Sequence, residues 1–256
     1  MEAYDLYLRS LANVYSSELD RNGAGLSLIK RAISLEPGNA TYLASGVMLL
    51  MQRGVFGWKL PDADDNRKLC SNYIERALSN GQGDATVVGM CGNALLQYLR
   101  EYDRGFELIR RAVSINPNNL EVVATAGVAN LLCGSLDDAV TYFQRAERLS
   151  PNGVDSHWNL TGLAHIEMVR GNYEQALIWA GKSMAANAYY GPCFWMLIAA
   201  NAQLGRMEEA RRHLASLLTI SPEVTVASIR AGQAAKLPER IEPILAGLLL
   251  AGMPEA

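Results

Sequence analysis

Small residues and proline recur at fixed positions of a 34-residue unit, and this recurrence restricts the chain to few folds. The clearest copy is residues 120–153, where Gly127, Ala139, Ala146 and Pro151 occupy positions 8, 20, 27 and 32. Small side chains at positions 8 and 20 let two antiparallel helices approach closely, and proline at position 32 cannot continue the second helix. Because such a unit cannot bury its apolar face alone, one copy predicts neighbours.

Further copies follow by the same spacing. Ala176 and Ala210 stand 34 residues apart, whereas Ala139 and Ala176 stand 37 apart because residues 154–156 are inserted. The units are residues 6–39, 40–83 with an insertion at 54–65, 86–119, 120–153, 157–190 and 191–224, and residues 225–256 are expected to form capping helices and a tail.

This spacing resembles the tetratricopeptide repeat family. The resemblance implies an all-α, right-handed superhelix of about six helix–turn–helix repeats that binds other proteins. A C-terminal capping helix is expected to cover the last repeat with its apolar face. Strand signals, in contrast, are nearly absent from the chain.

The two ends of the chain carry a second, finer resemblance. Residues 3–10 read AYDLYLRS, and residues 251–255 read AGMPE. Both are similar to the ends of tetratricopeptide arrays that lie C-terminal to bacterial class III adenylate or guanylate cyclase domains, or to winged-helix DNA-binding domains. The resemblance implies a regulatory or oligomerising module with such a domain upstream. A free-standing repeat scaffold is the alternative.

Composition argues against several classes of partner. The formal net charge is −3, which does not suggest nucleic acid as a partner of these residues. The longest apolar run, residues 244–253, is about half the length needed to span a bilayer, and no signal peptide opens the sequence. We therefore expect a cytoplasmic protein that contacts neither nucleic acid nor membrane through this region.

The sequence offers little chemistry. The four cysteines are widely spaced without a CxxC pair, and the three histidines lack metal-ligand spacing; they are Cys70, Cys91, Cys133, Cys193, His157, His165 and His213. No phosphate-binding, nucleophile-elbow or kinase motif occurs. We expect this chain to have no enzymatic activity, no cofactor and no metal, whatever a longer parent protein does.

The predicted binding surface is a concave groove lined by the first helix of each repeat. Its candidate residues are mainly apolar, namely Met48, Met51, Met90, Ala94, Val128, Leu131, Trp158, His165, Met168 and Trp195. Methionine and tryptophan favour a protein or peptide ligand, in the form of an apolar or amphipathic helix. Alternatively, these residues fill the interior of a tightly wound superhelix or form a homodimer contact. His165 is interpreted as a packing residue rather than a catalyst.

The insertion at residues 54–65 contains two aromatic side chains, Phe56 and Trp58. They could form an exposed interaction knob. We favour the alternative, in which they pack back onto the ends of neighbouring helices.

Overall fold

The computed structural model describes residues 2–14, 18–56, 58, 60–151, 153, 156–233 and 235–256. Over this part of the chain the protein contains α-helices, one π-helical turn and one 3₁₀ turn, without a strand. The predicted all-α class is therefore confirmed.

The helices follow one another through short turns. They are α1 (Glu2–Val14), α2 (Leu19–Leu35), α3 (Ala40–Val55), α4 (Ala63–Asn80), α5 (Ala85–Ala94), α6 (Tyr102–Ile115), α7 (Leu120–Cys133), α8 (Leu136–Leu149), α9 (Ser156–Val169), α10 (Tyr173–Ala186), α11 (Gly191–Gln203), α12 (Met207–Ile220), α13 (Val226–Gly232) and α14 (Glu242–Leu250). A π-helical turn, Leu95–Leu99, extends α5, and a 3₁₀ turn, Pro238–Arg240, precedes α14.

The chain forms two compact units, Met1–Thr125 and Ala126–Ala256. In the first unit, α1 packs on α2, α3 on α4, and α5 on α6. In the second unit, α9 packs on α10 and α11 on α12, while α14 packs on α11 and also contacts α9. Each unit has its own buried apolar cluster.

Local chemistry sets where the helices begin and end. Asp84 caps α5, because its Oδ1 accepts hydrogen bonds from the backbone N–H groups of Thr86 at 2.8 Å and Val87 at 3.2 Å. Helices α2, α6 and α8 each end two residues before a proline, namely Pro37, Pro117 and Pro151. Since proline lacks an N–H and cannot continue a helix, these ends follow directly from the sequence.

Close backbone contact holds the helix pairs together. A Cβ placed on Gly105 of α6 would lie 2.7 Å from the carbonyl oxygen of Gly92 in α5, and 2.8 Å from the backbone nitrogen of Leu96. In the second unit, the ring of Phe143 occupies the space beside both Gly127 and Gly162. Only glycine leaves room for these contacts.

Arginine side chains also link successive repeats in the first unit. Arg76 donates from Nη2 to the Pro37 carbonyl oxygen at 2.7 Å, and Arg111 donates from Nη2 to the Gln82 carbonyl oxygen at 3.0 Å. Each arginine precedes the small residue at position 27 and reaches the turn that ends the preceding repeat. We call this contact the inter-repeat latch.

The aromatic residues of the predicted insertion lie against each other. The rings of Phe56 and Trp58 stack with their centroids 5.3 Å apart, and both side chains are half-buried. Gly57 and Lys59, which belong to the same predicted insertion, lie outside the described residues.

A pair of glycine substitutions tests the role of close backbone contact. Gly105→Ala should lower the free energy of unfolding by about 1–3 kcal/mol, because α5 and α6 must separate to admit the methyl group. Gly181→Ala in α10 is the matched control, since a Cβ there meets no atom within 4 Å. It should raise stability by about 0.5–1 kcal/mol through its better helix propensity. Urea unfolding followed by circular dichroism measures both, and equal effects of the two substitutions would contradict this account.

Candidate functional site

Most of the predicted groove residues are buried within the chain. Seven of the ten are no more than 7% exposed, namely Met48, Met51, Ala94, Leu131, His165, Met168 and Trp195. Met90, Val128 and Trp158 are half-buried. This burial favours the alternative that the seven side chains fill the interior, and the assignment of the ten residues to a partner groove stays a prediction.

In the second unit, α14 provides the reason for this burial. It packs against α11 and α9, the two first helices that were predicted to line the groove there. A Cβ on Gly247 would lie 2.6 Å from the Cα of Ala199, so the backbones of α14 and α11 touch. Met168 and Trp195 share one buried cluster with Leu245 of α14. The predicted capping helix thus contacts the last repeat, on the face assigned to the partner.

His165 is held by the segment that leads into α14. Its Nε2 donates to the Arg240 carbonyl oxygen at 2.5 Å. Burial, together with the nearby Arg240 guanidinium, lowers the pKa of His165 to about 4 against the opposing effect of the backbone hydrogen bond. The imidazole is therefore neutral near pH 7 and serves in packing.

The side chains of Trp158 and Met90 are partly exposed, but both also pack against other residues of the chain. The Trp158 ring stacks on Tyr190 with centroids 5.9 Å apart, and the His157 ring meets Tyr190 edge-on at 4.7 Å. Met90 packs against the buried cluster of the first unit. Their role in partner binding stays a prediction.

The described residues contain few groups suited to catalysis. No group of three or more histidine, cysteine, aspartate or glutamate residues among them could hold a metal ion. Burial raises the thiol pKa of Cys70, Cys91 and Cys193 to about 12, so these cysteines stay protonated at neutral pH. Within the described part of the chain, no helix is both long and apolar enough to cross a bilayer.

A cleft of about 990 Å³ opens on the second unit between α8, α9 and α10. Its lining combines apolar and charged side chains, namely Gln144, Glu147, Arg148, Gly153, Ser156, Leu160, Leu163, Trp179, Lys182, Ala185 and Ala186. We call it the α8–α10 cleft. Leu160 and Leu163 are buried, Trp179 is half-buried, and Arg148 and Lys182 are exposed. It offers both apolar surface and charge to a ligand.

The α8–α10 cleft lies where the repeat pattern changes. Lys182 occupies the position that Arg76 and Arg111 hold in earlier repeats. Its Nζ lies 4.5 Å from the centre of the Trp179 ring, so it forms a cation–π contact instead of an inter-repeat latch. The sequence also has three extra residues here, of which Val154 and Asp155 lie outside the described residues. The longer spacing is visible in the sequence, but it did not predict the cleft.

Comparison with known proteins supports the fold. No protein-family model matches the chain. Human anaphase-promoting complex subunit 7 is 25% identical over 187 residues, which cover 71% of this chain and 30% of that protein. Among solved structures, the APC/C hetero-tetramer Cut9–Hcn1 gives a TM-score of 0.65 at 17% identity, over 97% of this chain and 45% of that chain. A tetratricopeptide repeat protein from Parabacteroides merdae gives a TM-score of 0.54 at 15% identity, over 98% and 92%.

This chain has the tetratricopeptide-repeat fold. The structural likeness, at these identities, establishes the fold alone. The chain spans only 30% of the length of its curated relative, so the activity of that whole protein does not transfer directly to this tetratricopeptide-repeat chain.

Burial of Trp195 leads to a stability test. Trp195→Ala should destabilise the protein by about 3–5 kcal/mol, because it removes a large side chain from the cluster that α14 completes. Trp158→Ala should cost less, since that ring is half-buried. Urea denaturation followed by circular dichroism separates the two. If Trp195→Ala leaves stability unchanged, Trp195 is not a core residue and would again be a candidate for contact with a partner.

The lowered pKa of His165 leads to a pH test. The unfolded histidine, with an ordinary pKa of 6.5, takes up a proton before the folded one, whose pKa is about 4. The contribution of His165 to the free energy of unfolding is therefore constant above about pH 6.5. It falls by about 3 kcal/mol in total as the pH drops from there toward 4. His165→Leu should remove this part of the loss. Burial also lowers the pKa of His213, so some acid sensitivity should remain. Parallel pH profiles of wild type and variant would count against this assignment.

Proposed function

We propose that this chain is a protein–protein interaction module that receives its partner through the α8–α10 cleft. The observation that carries the proposal is the cleft itself, because it is open while α14 already packs on the predicted groove face of the second unit. Its mixture of buried leucine, half-buried tryptophan and exposed charge is typical of surfaces that hold a partner segment.

The relatives support an interaction role. Anaphase-promoting complex subunit 7 is, by its name, a subunit of a larger assembly, and Cut9 forms a hetero-tetramer with Hcn1. A repeat array in this chain would act in the same general way, as a scaffold that brings partners together. Self-association into a homodimer is one form of this function, and we place it in the cytoplasm.

The finer form of the proposal is a regulatory module of a bacterial signalling protein. It rests on the similarity of residues 3–10 and 251–255 to the ends of cyclase-associated arrays. In that case an adenylate or guanylate cyclase domain, or a winged-helix DNA-binding domain, would belong to the same polypeptide. This chain would then contribute the contact and the parent protein would supply the chemistry.

Site-specific photo-crosslinking in the source cells tests the proposed surface. A photoreactive residue at Ala185, which is exposed in the α8–α10 cleft, should give a discrete crosslinked band with a partner. The same residue at Ala215, which is exposed on α12, is the matched control and should give none. Equal crosslinking at both positions, or none at Ala185, would overturn the assignment of the cleft.

An immunoblot of the source cells, probed with an antibody raised to this chain, tests the finer proposal. A wild-type band far above 27.9 kDa would support a longer parent protein, which would then be assayed for cyclic-nucleotide synthesis and DNA binding. A band at 27.9 kDa, in contrast, would favour a free-standing scaffold.

A further inference from the structure

The charged side chains at the edge of the α8–α10 cleft indicate which chemical class of ligand it binds. Arg148 and Lys182 both line the cleft, both are exposed, and neither forms an ion pair among the described residues. Glu147 is the one acidic side chain in the described lining, and it already accepts a hydrogen bond from Asn159 Nδ2 at 3.0 Å. The described lining therefore carries two cations and one carboxylate, so a net positive charge faces any ligand that enters.

Lys182 is available because the inter-repeat latch is missing. Arg76 and Arg111, at the equivalent positions, are engaged with carbonyl oxygens of the preceding turn. The ammonium group of Lys182 lies over the Trp179 ring instead, and its N–H donors have no acceptor among the described residues. A carboxylate can accept from these donors while the tryptophan ring keeps the lysine in place.

The rest of the α8–α10 cleft favours an aliphatic neighbour for that carboxylate. The accessible apolar lining is the half-buried Trp179 ring with the exposed Ala185 and Ala186, which are small enough to leave room above α10, whereas Leu160 and Leu163 are buried. A volume of about 990 Å³ is large enough for several side chains, so a peptide segment fits better than a single residue.

We propose that the α8–α10 cleft binds an acidic, amphipathic segment of a partner protein, with aliphatic side chains directed to Trp179, Ala185 and Ala186 and a carboxylate paired with Lys182 and Arg148. This inference rests on the proposed interaction function and adds the chemical class of the ligand. Exposed ion pairs contribute mainly to the choice of partner and to the rate of association, so the effect of charge reversal should depend on salt.

Selection from a random library of 12-residue peptides tests the ligand class directly, because the library contains acidic, basic and apolar segments alike. The wild-type protein is the bait, and peptides that also bind the double variant Lys182→Glu/Arg148→Glu are removed. The enriched peptides should combine Asp or Glu with Leu, Ile, Met or Phe. Enrichment of basic peptides, or no enrichment over the double variant, would overturn the proposal.

Titration of the most enriched peptide by fluorescence anisotropy gives the quantitative test. The double variant should raise its Kd at least about tenfold at low salt, with a smaller effect at high salt. Arg211→Glu/Arg212→Glu is the matched control, because it makes the same change in net charge at two exposed positions of α12. An equal loss in this control would mean that net charge alone drives binding, and the cleft assignment would fail.

The two proposals fail in different ways. A partner crosslinked at Ala185 together with a selection that yields no acidic peptides would discard the acidic ligand and retain the interaction function. No crosslink at Ala185 together with tight binding of acidic peptides would retain the ligand chemistry and discard the physiological role.

Discussion

Direct backbone contact between helices is the interaction on which the rest of this structure depends. Gly92 and Gly105 bring α5 and α6 together, and Gly247 brings α14 onto Ala199 of α11. Where helices approach this closely, there is no space for a side chain between them, so the apolar side chains beside the contact fill the remaining volume efficiently. The buried clusters of both units follow from this geometry.

The same constraint explains why the predicted groove face of the second unit is in contact with another helix of the chain. A face built from small and apolar residues suits a ligand helix, but it suits any apolar helix of the same chain equally well. The sequence of α14 provides such a helix, with Ile244, Leu245 and Leu248 fully buried on one side. An apolar helix face in the sequence therefore does not by itself predict whether a partner or another helix of the chain packs on it.

The helix pairs could be predicted from the sequence because their signals are local. Proline after α2, α6 and α8 and small residues at fixed positions act within one repeat. The packing of α14 on α9 and α11 could not be predicted in this way, and neither could the α8–α10 cleft. Both depend on contacts between segments that are distant in sequence. Two local features coincide with the cleft, namely the longer spacing before Ala176 and lysine in place of arginine at residue 182, but neither of them predicts it.

The position of α14 also has a consequence for biosynthesis. Helices α9 and α11 precede α14 in the chain, and their apolar faces belong to a cluster that includes Ile244, Leu245, Leu248 and Met253. On the ribosome, these faces emerge before the helix that covers them. Exposed apolar surface on a nascent chain attracts chaperones and promotes aggregation. The rate at which residues 241–253 are translated should therefore influence the yield of folded protein.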